Sequence, residues 1–171
     1  IQVSYTGDLR NSVTTKDNEL FKTAFKDWKT AMQHRIPVSA TFSVLNYINV
    51  TPSFNYTERW YKQKISKEWD PTLTRVVVKD TINSFGRAYD FDYSVGMQTK
   101  LYGFYEPVFK IGKLKTIRHV FTPSVSFSGR PDFGDPKYGA YKSISYIDGN
   151  GNIRQEYYSP YEGQTFSPPG R

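Results

Sequence analysis

The stretch that decides the fold reads Ile48-Asn-Val-Thr-Pro-Ser-Phe-Asn-Tyr-Thr-Glu-Arg-Trp60. Six of its seven even-numbered residues are apolar or aromatic, and all six odd-numbered residues are polar. Because successive side chains of a strand point to opposite faces, this pattern predicts a strand with one apolar and one polar face. The stretch is long for a soluble strand, and it exceeds the roughly 9–11 residues that a tilted strand needs to cross a bilayer.

The same alternation recurs along the rest of the chain. It predicts five long strands, at about residues 1–9, 34–45, 48–63, 85–104 and 116–130. We expect one side of these strands to contact lipid, through Val50, Phe54, Tyr56, Phe91, Tyr93, Val95, Val125 and Phe127. Aromatic residues cluster where the strands end, and they are expected to form interfacial girdles: Tyr47, Trp60, Tyr61, Tyr102, Phe104 and Tyr105.

The composition argues against an ordinary soluble core. Only 37% of the 171 residues are hydrophobic, whereas 17% are aromatic, with 14 Tyr and 12 Phe. Tyr and Trp suit interfaces at which one end of the ring stays wet. No run approaches the roughly 18 apolar residues of a membrane-spanning helix. The net charge is +7, but the Lys and Arg residues are scattered and form no nucleic-acid motif, so we expect no nucleic-acid partner.

The connections between the predicted strands alternate between long and short. A long one precedes residue 34, Asn46-Tyr47 forms a short one, a long one surrounds residues 69–71, and a short turn lies near residues 110–113. Tight turns on one side and long loops on the other are typical of outer-membrane barrels. We therefore predict an all-β fold of antiparallel up-and-down strands that forms part of a transmembrane β-barrel. Residues 1–171 are expected to be a fragment of one such domain, since both ends look interrupted.

Two features fall in the predicted outer loops. One is a short helix after Asp17 or Asn18, with an apolar stripe at three- and four-residue spacing that runs from Leu20 to Met32. This helix could lie on the membrane or pack on neighbouring loops. The other is a hairpin at about residues 142–158, because Asp-Gly followed by Asn-Gly is a strong turn signal.

No constellation of residues indicates catalysis. His34 and His119 lack partners at metal-ligand spacing, and the 148–152 segment lacks the Gly and the acidic residue that a calcium loop requires. Asp132 and Asp135 lie among Pro and Gly, so they indicate a folded loop. The chain contains no cysteine. We therefore predict that the protein is not an enzyme and that it needs no metal or cofactor.

Pro52 and Pro123 occupy equivalent places on the apolar face of two strands. Thr51-Pro52-Ser53 is echoed by Thr122-Pro123-Ser124. Proline removes a hydrogen bond from the ladder and normally avoids central strands. The pair could weaken the sheet wall locally for a functional reason, or each could mark a tolerated bulge.

Several phrases resemble the barrel of the LPS-assembly outer-membrane protein LptD, in its divergent branch. The similarity spans most of residues 34–139. The phrases are Ile36-Pro-Val-Ser39, Thr51-Pro-Ser-Phe-Asn-Tyr-Thr-Glu-Arg-Trp60, Thr99-Lys-Leu-Tyr-Gly103, Ile117-Arg-His-Val-Phe-Thr-Pro-Ser-Val-Ser-Phe127, Arg130-Pro-Asp-Phe133 and Asp135-Pro-Lys-Tyr-Gly139.

The resemblance implies a very large barrel in the outer membrane of a Gram-negative cell. Such a barrel receives lipopolysaccharide from a periplasmic bridge, works with a lipoprotein plug and inserts the glycolipid into the outer leaflet. Under this interpretation Arg59, Lys100 and Arg118 are candidates to contact phosphates on the lumen side. The family's periplasmic domain, its closing strands and the cysteines of some members are absent from this sequence.

Two other functions share part of the pattern. A general porin or nutrient-receptor barrel would show the same alternation, without the quoted phrases. A soluble β-sandwich that binds carbohydrate would place the apolar sides of its strands in a dry centre.

Overall fold

The computed structural model describes residues 1–16, 28–106, 116–149 and 151–170. These residues form antiparallel strands and a single short 3-10 turn at Pro136–Tyr138, so the predicted all-β antiparallel class is confirmed. The strands are β1 Gln2–Val3, β2 Thr6–Ser12, β3 Lys29–Ser39, β4 Phe42–Val44, β5 Ile48–Asp70, β6 Arg75–Thr99, β7 Leu101–Tyr105, β8 Ile117–Phe121, β9 Ser124–Gly129, β10 Lys142–Ile147 and β11 Ile153–Tyr158.

The main sheet has seven strands in the order β1-β3-β5-β6-β9, with β2 also paired to β3 and β4 to β5. When β1–β2, β3–β4, β6–β7 and β8–β9 are each counted as one interrupted strand, neighbours along this path are consecutive in sequence, as in an up-and-down meander. Within the described ranges the sheet is open: it ends at β1 and β2 on one side and at β9 on the other. Two further ladders join β7 to β8 and β10 to β11.

Short breaks divide what are in effect longer strands. The β6–β9 ladder ends at Gln98↔Ser124, and the β7–β8 ladder begins at Leu101↔Phe121, three residues further on each side. The two ladders therefore keep one register across the break. The predicted strands at 85–104 and 116–130 correspond to β6–β7 and β8–β9.

The β5–β6 connection corrects the sequence prediction. A loop of about twenty residues was expected around residues 69–71, but β5 runs to Asp70 and β6 starts at Arg75. Asp70 Oδ1 accepts hydrogen bonds from the backbone N–H groups of Thr72 (2.8 Å) and Leu73 (3.1 Å). An Asp side chain that bonds to the backbone two residues on is a turn-forming device. The two strands thus form one hairpin, which continues through the part that was predicted as loop.

The predicted helix is wrong for its last residues. Met32 lies inside β3, where it pairs with Leu9, and β3 begins at Lys29 rather than near His34. The rest of the expected stripe, at residues 20–25, lies outside the described residues, as does the short turn expected near 110–113. The expected short connection at Asn46-Tyr47 is present, as a turn between Val44 and Ile48.

Contacts within the chain group it into two compact units. The first contains residues 1–4, 37–55 and 92–130; the second contains residues 5–36, 56–91 and 131–171. In the second unit a cluster of buried residues forms a small core: Ala31, Tyr61, Ala88, Ala140, Tyr161 and Phe166. The second unit also holds the β10–β11 hairpin, whose strands match the residues predicted for it.

Candidate functional site: the apolar and polar faces of the sheet

In the first unit the apolar face is open to its surroundings. Phe54, Tyr93 and Phe127 keep 40%, 41% and 63% of their surface exposed. The Tyr93 and Phe127 rings contact one another with centroids 6.3 Å apart, so these side chains pair across strands without entering a protein interior. A dry, enclosed centre at these residues, as a β-sandwich would need, is not what the structure shows.

The remaining residues that were expected to face lipid are also at least partly exposed. Val125 is 66% exposed, and Val50, Tyr56, Phe91 and Val95 are half-buried. Phe91 differs from the rest, because its ring lies edge-on against Phe133, with centroids 5.3 Å apart. Part of its surface is therefore covered by protein.

Three prolines of the first unit lie opposite residues at strand breaks. The carbonyl oxygens of Pro37, Pro52 and Pro123 accept hydrogen bonds from neighbouring N–H groups, from Ser4 (3.2 Å), Ala40 (3.1 Å) and Thr99 (3.2 Å). A proline has no N–H to donate in return, so each of these pairs keeps one bond where an ordinary pair could make two. Ser4, Ala40 and Thr99 each lie at or directly beside the end of a strand segment. A functional role for Pro52 and Pro123 in weakening the sheet wall stays a prediction.

The opposite face of the first unit is polar and internally bonded. Ser53 Oγ and Ser94 Oγ are 2.8 Å apart, and Asn55 Nδ2 donates to Asp92 Oδ2 at 2.8 Å. Thr51 Oγ1 donates to the carbonyl of Gly96 at 3.3 Å. Cross-strand hydroxyl and amide pairs of this kind stabilise a sheet, and they leave a hydrophilic surface behind.

The three candidate anion contacts differ in their surroundings. In the first unit, the Arg118 guanidinium lies over the Tyr102 ring, 4.7 Å from its centroid, and Lys100 is exposed in the gap between β6 and β7. In the second unit, Arg59 forms an ion pair with Asp90, and both side chains are about 15% exposed. The charge of Arg59 is therefore largely neutralised within the protein.

In the second unit the polar side of β5 is covered by the tail, which we define as residues 131–170. Tyr61, expected in an interfacial girdle, is only 1% exposed and stacks on Tyr161 of the tail. That prediction is wrong, because Tyr61 is odd-numbered and points away from the apolar face. Three small residues lie beside the stacked rings: Ala31, Gly86 and Ala88.

Polar contacts also hold residues 160–163 of the tail against β3 and β5. The backbone N–H of Ile65 donates to the carbonyl of Pro160 at 2.8 Å, and Lys29 Nζ donates to the carbonyl of Gly163 at 2.9 Å. Lys67 forms an ion pair with Glu162. The sequence contains one signal that the tail packs here, namely the small residues Ala31, Gly86 and Ala88 between larger neighbours. No periodicity, however, links these residues to Tyr161.

Three groups in the tail have shifted pKa values. Burial raises the pKa of the Tyr161 phenol above its ordinary value of 10.0. The backbone N–H and the ammonium of Lys137 lower the pKa of Asp135, and Asp135 in turn raises the pKa of Lys137. Asp135 caps the 3-10 turn through Lys137 N at 3.0 Å, and Asp132 accepts a bond from Gly134 N at 2.9 Å. Both carboxylates thus organise a loop, as their sequence context indicated.

The two histidines lie apart from any acidic cluster. His34 Nδ1 is 2.8 Å from the Tyr5 hydroxyl, and His119 pairs with Gly103 across the β7–β8 ladder. In the part of the chain that the structure describes, no group of three or more His, Asp or Glu residues is arranged to hold a metal. No helix among those residues is both long enough and apolar enough to cross a membrane.

One comparison with known proteins gives a match. The model of a family described as LptD protein matches residues 1–171. No curated protein and no solved structure is similar enough to match.

Proposed function

Because the chain belongs to the LptD family, we propose that it forms part of a transmembrane β-barrel translocon that inserts lipopolysaccharide into the outer leaflet of the outer membrane. The observation that carries the proposal is the two-sided sheet of the first unit. Exposed apolar rings such as Phe54 occupy one side, and the bonded Ser53–Ser94 pair lies on the other. Membrane barrels have apolar outer surfaces and polar interiors, with side chains alternating between them.

In this proposal the sugar and phosphate groups of the glycolipid move along the polar face. Lys100 and Arg118 offer exposed cations to the phosphates. Arg59 is assigned mainly to the Asp90 pair, because a neutralised charge attracts an anion weakly. The acyl chains leave through the wall where prolines such as Pro52 and Pro123 remove hydrogen bonds. No catalytic step is required.

Closure into a barrel needs strands beyond those described, because about eight is the small end for a membrane barrel. Further strands would pair with the open edges at β1–β2 and β9. Unpaired edges promote aggregation, so a partner for each edge is expected. The proposal also includes outer-membrane lipid around the apolar face, a lipoprotein plug and a periplasmic bridge as partners.

Site-specific photo-crosslinking in cells tests the proposed route. A photoreactive residue at Ser94 or Ser126, on the polar face, should capture lipopolysaccharide during transport. The same residue at Tyr47, in the exposed turn before β5, serves as the control. Active protein without capture from either polar-face position would contradict the proposal.

Alanine substitution tests the anion contacts separately. Lys100→Ala and Arg118→Ala should each lower the amount of lipopolysaccharide at the cell surface. Unchanged surface lipopolysaccharide in both variants and in Arg59→Ala would remove the assignment.

A general porin or receptor barrel remains the second candidate, because it would present the same two faces. The family match favours the translocon. A soluble carbohydrate-binding sandwich is disfavoured by the exposed apolar face. A monodisperse product without detergent would support that candidate instead.

A further inference from the structure

One face of the first unit changes character where the β6–β9 ladder gives way to the β7–β8 ladder. Both ladders keep one register, so the even-numbered residues of these strands lie on the same side. Before the break, that side carries small or polar pairs: Ser94↔Ser128, Gly96↔Ser126 and Gln98↔Ser124. After the break, it carries Tyr102↔Val120 and Phe104↔Arg118. The polar face therefore becomes apolar at this end of the sheet, with one cation among the apolar residues.

The other side of the β7–β8 ladder stays apolar. Its odd-numbered residues include Leu101, Tyr105 and Phe121, all of them exposed. A short strand with apolar residues on both sides is typical of a strand that is covered on both. In the proposed function, lipid covers the odd-numbered side. The even-numbered side then needs a ligand or partner of its own.

Four even-numbered residues make up this side, and we call them the β7–β8 patch: Tyr102, Phe104, Arg118 and Val120. Val120 lies directly opposite Tyr102, and Arg118 lies directly opposite Phe104. Because directly opposed side chains on one face of a sheet are close neighbours, one ligand can contact all four. All four side chains are exposed. Contiguous exposed apolar surface commonly marks a binding site.

Arg118 gives the β7–β8 patch its charge. Its guanidinium lies over the Tyr102 ring, 4.7 Å from the ring centroid. A stacked ring covers a flat side of the group, whereas the N–H donors point outward within its plane. Those donors suit the oxygens of a phosphate. Lys100 lies two residues before Tyr102, is also exposed and adds a second cation beside the patch.

The β7–β8 patch lies at an end of the sheet that carries a tight turn. Thr99, the last residue of β6, donates from its hydroxyl to the carbonyl of Tyr47, in the turn before β5, at 2.7 Å. β7 begins two residues after Thr99. In membrane barrels the tight turns face the periplasm. The patch is therefore on the side from which the glycolipid would arrive, and it directly precedes the break at Pro123.

We propose that the β7–β8 patch receives the lipid end of the glycolipid, an acylated and phosphorylated sugar. Arg118 binds its phosphate, and the apolar residues of the patch hold the adjoining part of an acyl chain. A free phosphate would leave the apolar residues uncovered, and an uncharged acyl chain would leave Arg118 without an anion. The inference rests on the proposed function, and it adds that acyl chains contact the polar side before they leave through the wall.

Photo-crosslinking with purified ligands tests the site. The full-length protein in detergent carries an aromatic photoreactive residue at Phe104 or, as the matched control, at Tyr105, the next residue on the same strand, which faces the other side. Each protein receives lipopolysaccharide, deacylated lipopolysaccharide or dephosphorylated lipopolysaccharide. Capture at Tyr105 measures glycolipid that only surrounds the outer wall. At Phe104 we expect half-maximal capture of complete lipopolysaccharide at about tenfold lower concentration than of either truncated form.

Substitutions assign the phosphate contact to Arg118. With the photoreactive residue at Phe104, Arg118→Gln should raise the half-maximal concentration of lipopolysaccharide about tenfold, the effect of losing one charged hydrogen bond. Arg118→Lys should keep part of the affinity, because it keeps the charge. His119→Gln is the matched control, since His119 lies on the opposite side of the same strand. Circular dichroism checks that each variant keeps its strands.

Each result decides a different point. Equal capture of complete and deacylated lipopolysaccharide, or displacement by millimolar inorganic phosphate, would show that the site takes a free anion, and the lipid assignment would fail. Equal capture of complete and dephosphorylated lipopolysaccharide, or an unchanged affinity in Arg118→Gln, would overturn the phosphate contact. Capture at Phe104 that matches capture at Tyr105 for all three ligands would overturn the site.

Crosslinking in cells separates this inference from the proposed function. A protein captured at Phe104 in place of lipopolysaccharide would show that a polypeptide covers the β7–β8 patch, which would overturn the inference. No capture of lipopolysaccharide at Phe104, with capture at Ser94 or Ser126, would overturn the patch alone. No capture at any of the three positions would overturn the proposed function as well.

Discussion

The Tyr161 ring lies flat on the Tyr61 ring, with centroids 4.3 Å apart and an interplanar angle of 12°. Both rings are buried, and the Tyr161 hydroxyl donates to the carbonyl of Arg87 at 3.1 Å. The contact joins β5 and β6 to a segment from the far end of the described chain. It gives the second unit a core that the sheet alone does not provide.

Removing the Tyr161 ring should release the tail. We expect Tyr161→Ala to lower the free energy of unfolding by about 3 kcal/mol, because it deletes a buried aromatic side chain. Urea denaturation measures the change, and limited proteolysis should show faster cleavage in residues 131–170. Tyr47→Ala is the control, since Tyr47 is 76% exposed. Equal effects of the two substitutions would show that the stacked rings contribute little.

A methyl group added at Gly86 should not fit beneath the Tyr161 ring. A Cβ added at Gly86 would lie 2.4 Å from Tyr161 Cε1, whereas the nearest atom to one added at Gly103 would be 3.8 Å away. Gly86→Ala should therefore destabilise the protein by about 1–3 kcal/mol through overpacking. Gly103→Ala, also on a strand, should be neutral or slightly stabilising. Denaturation midpoints of the two variants test this, and a harmless Gly86→Ala would contradict the close approach.

Alkaline pH should loosen the same contact. Burial raises the pKa of Tyr161 in the folded protein, so the folded state retains its proton at a pH where the unfolded chain has lost it. The stabilisation is fully present below about pH 10, the ordinary tyrosine pKa, and is lost as the pH rises through the folded value. Tyr161→Phe should therefore lose less stability than the wild type as the pH rises above about 10. If the free energy of unfolding depended on pH in the same way in both proteins, Tyr161 would be excluded as the titrating group.

The Arg59–Asp90 pair should matter more than an exposed one. Arg59→Ala removes the cation that pairs with Asp90, whose side chain is about 15% exposed, and we expect a loss of about 3 kcal/mol. Lys79→Ala breaks a pair whose side chains are 58% and 49% exposed, so its loss should stay under about 1 kcal/mol. Urea midpoints for both variants give the comparison. A smaller effect at Arg59 than at Lys79 would contradict the assignment of Arg59 to a structural pair.

Strand alternation predicted the parts of the fold in which one face is apolar. Residues 48–60 follow it closely, and the sheet presents them as expected. It failed beyond residue 63, where β5 and β6 continue as a hairpin whose apolar residues, among them Ile65, Trp69 and Val76, do not form one regular apolar face. Period-two patterning depends on one side being apolar, so such a strand gives no signal. A three- and four-residue repeat reaching Met32 likewise favoured a helix, although pairing with β2 makes the residues from Lys29 onward part of a strand.

The candidate site was predicted only where it depends on local pattern. Phe54 and Phe127 could be assigned to a face by counting along their strands. Counting also assigns Tyr61 to the polar face, but it could not predict that Tyr61 is buried, because that burial depends on the distant residue Tyr161. The ion pair between Arg59 and Asp90 was also out of reach, since it requires the register of β5 against β6.

The bond between Lys29 and Gly163 spans 134 residues of sequence. Contacts of such long range form late, because closing the intervening chain costs conformational entropy first. We therefore expect the β5–β6 hairpin to form before the tail packs against it. During refolding, amide protection along β5 and β6 should precede the ordering of the Tyr61 ring. The interval between the two events should lengthen when residues are inserted into the chain between β6 and the tail.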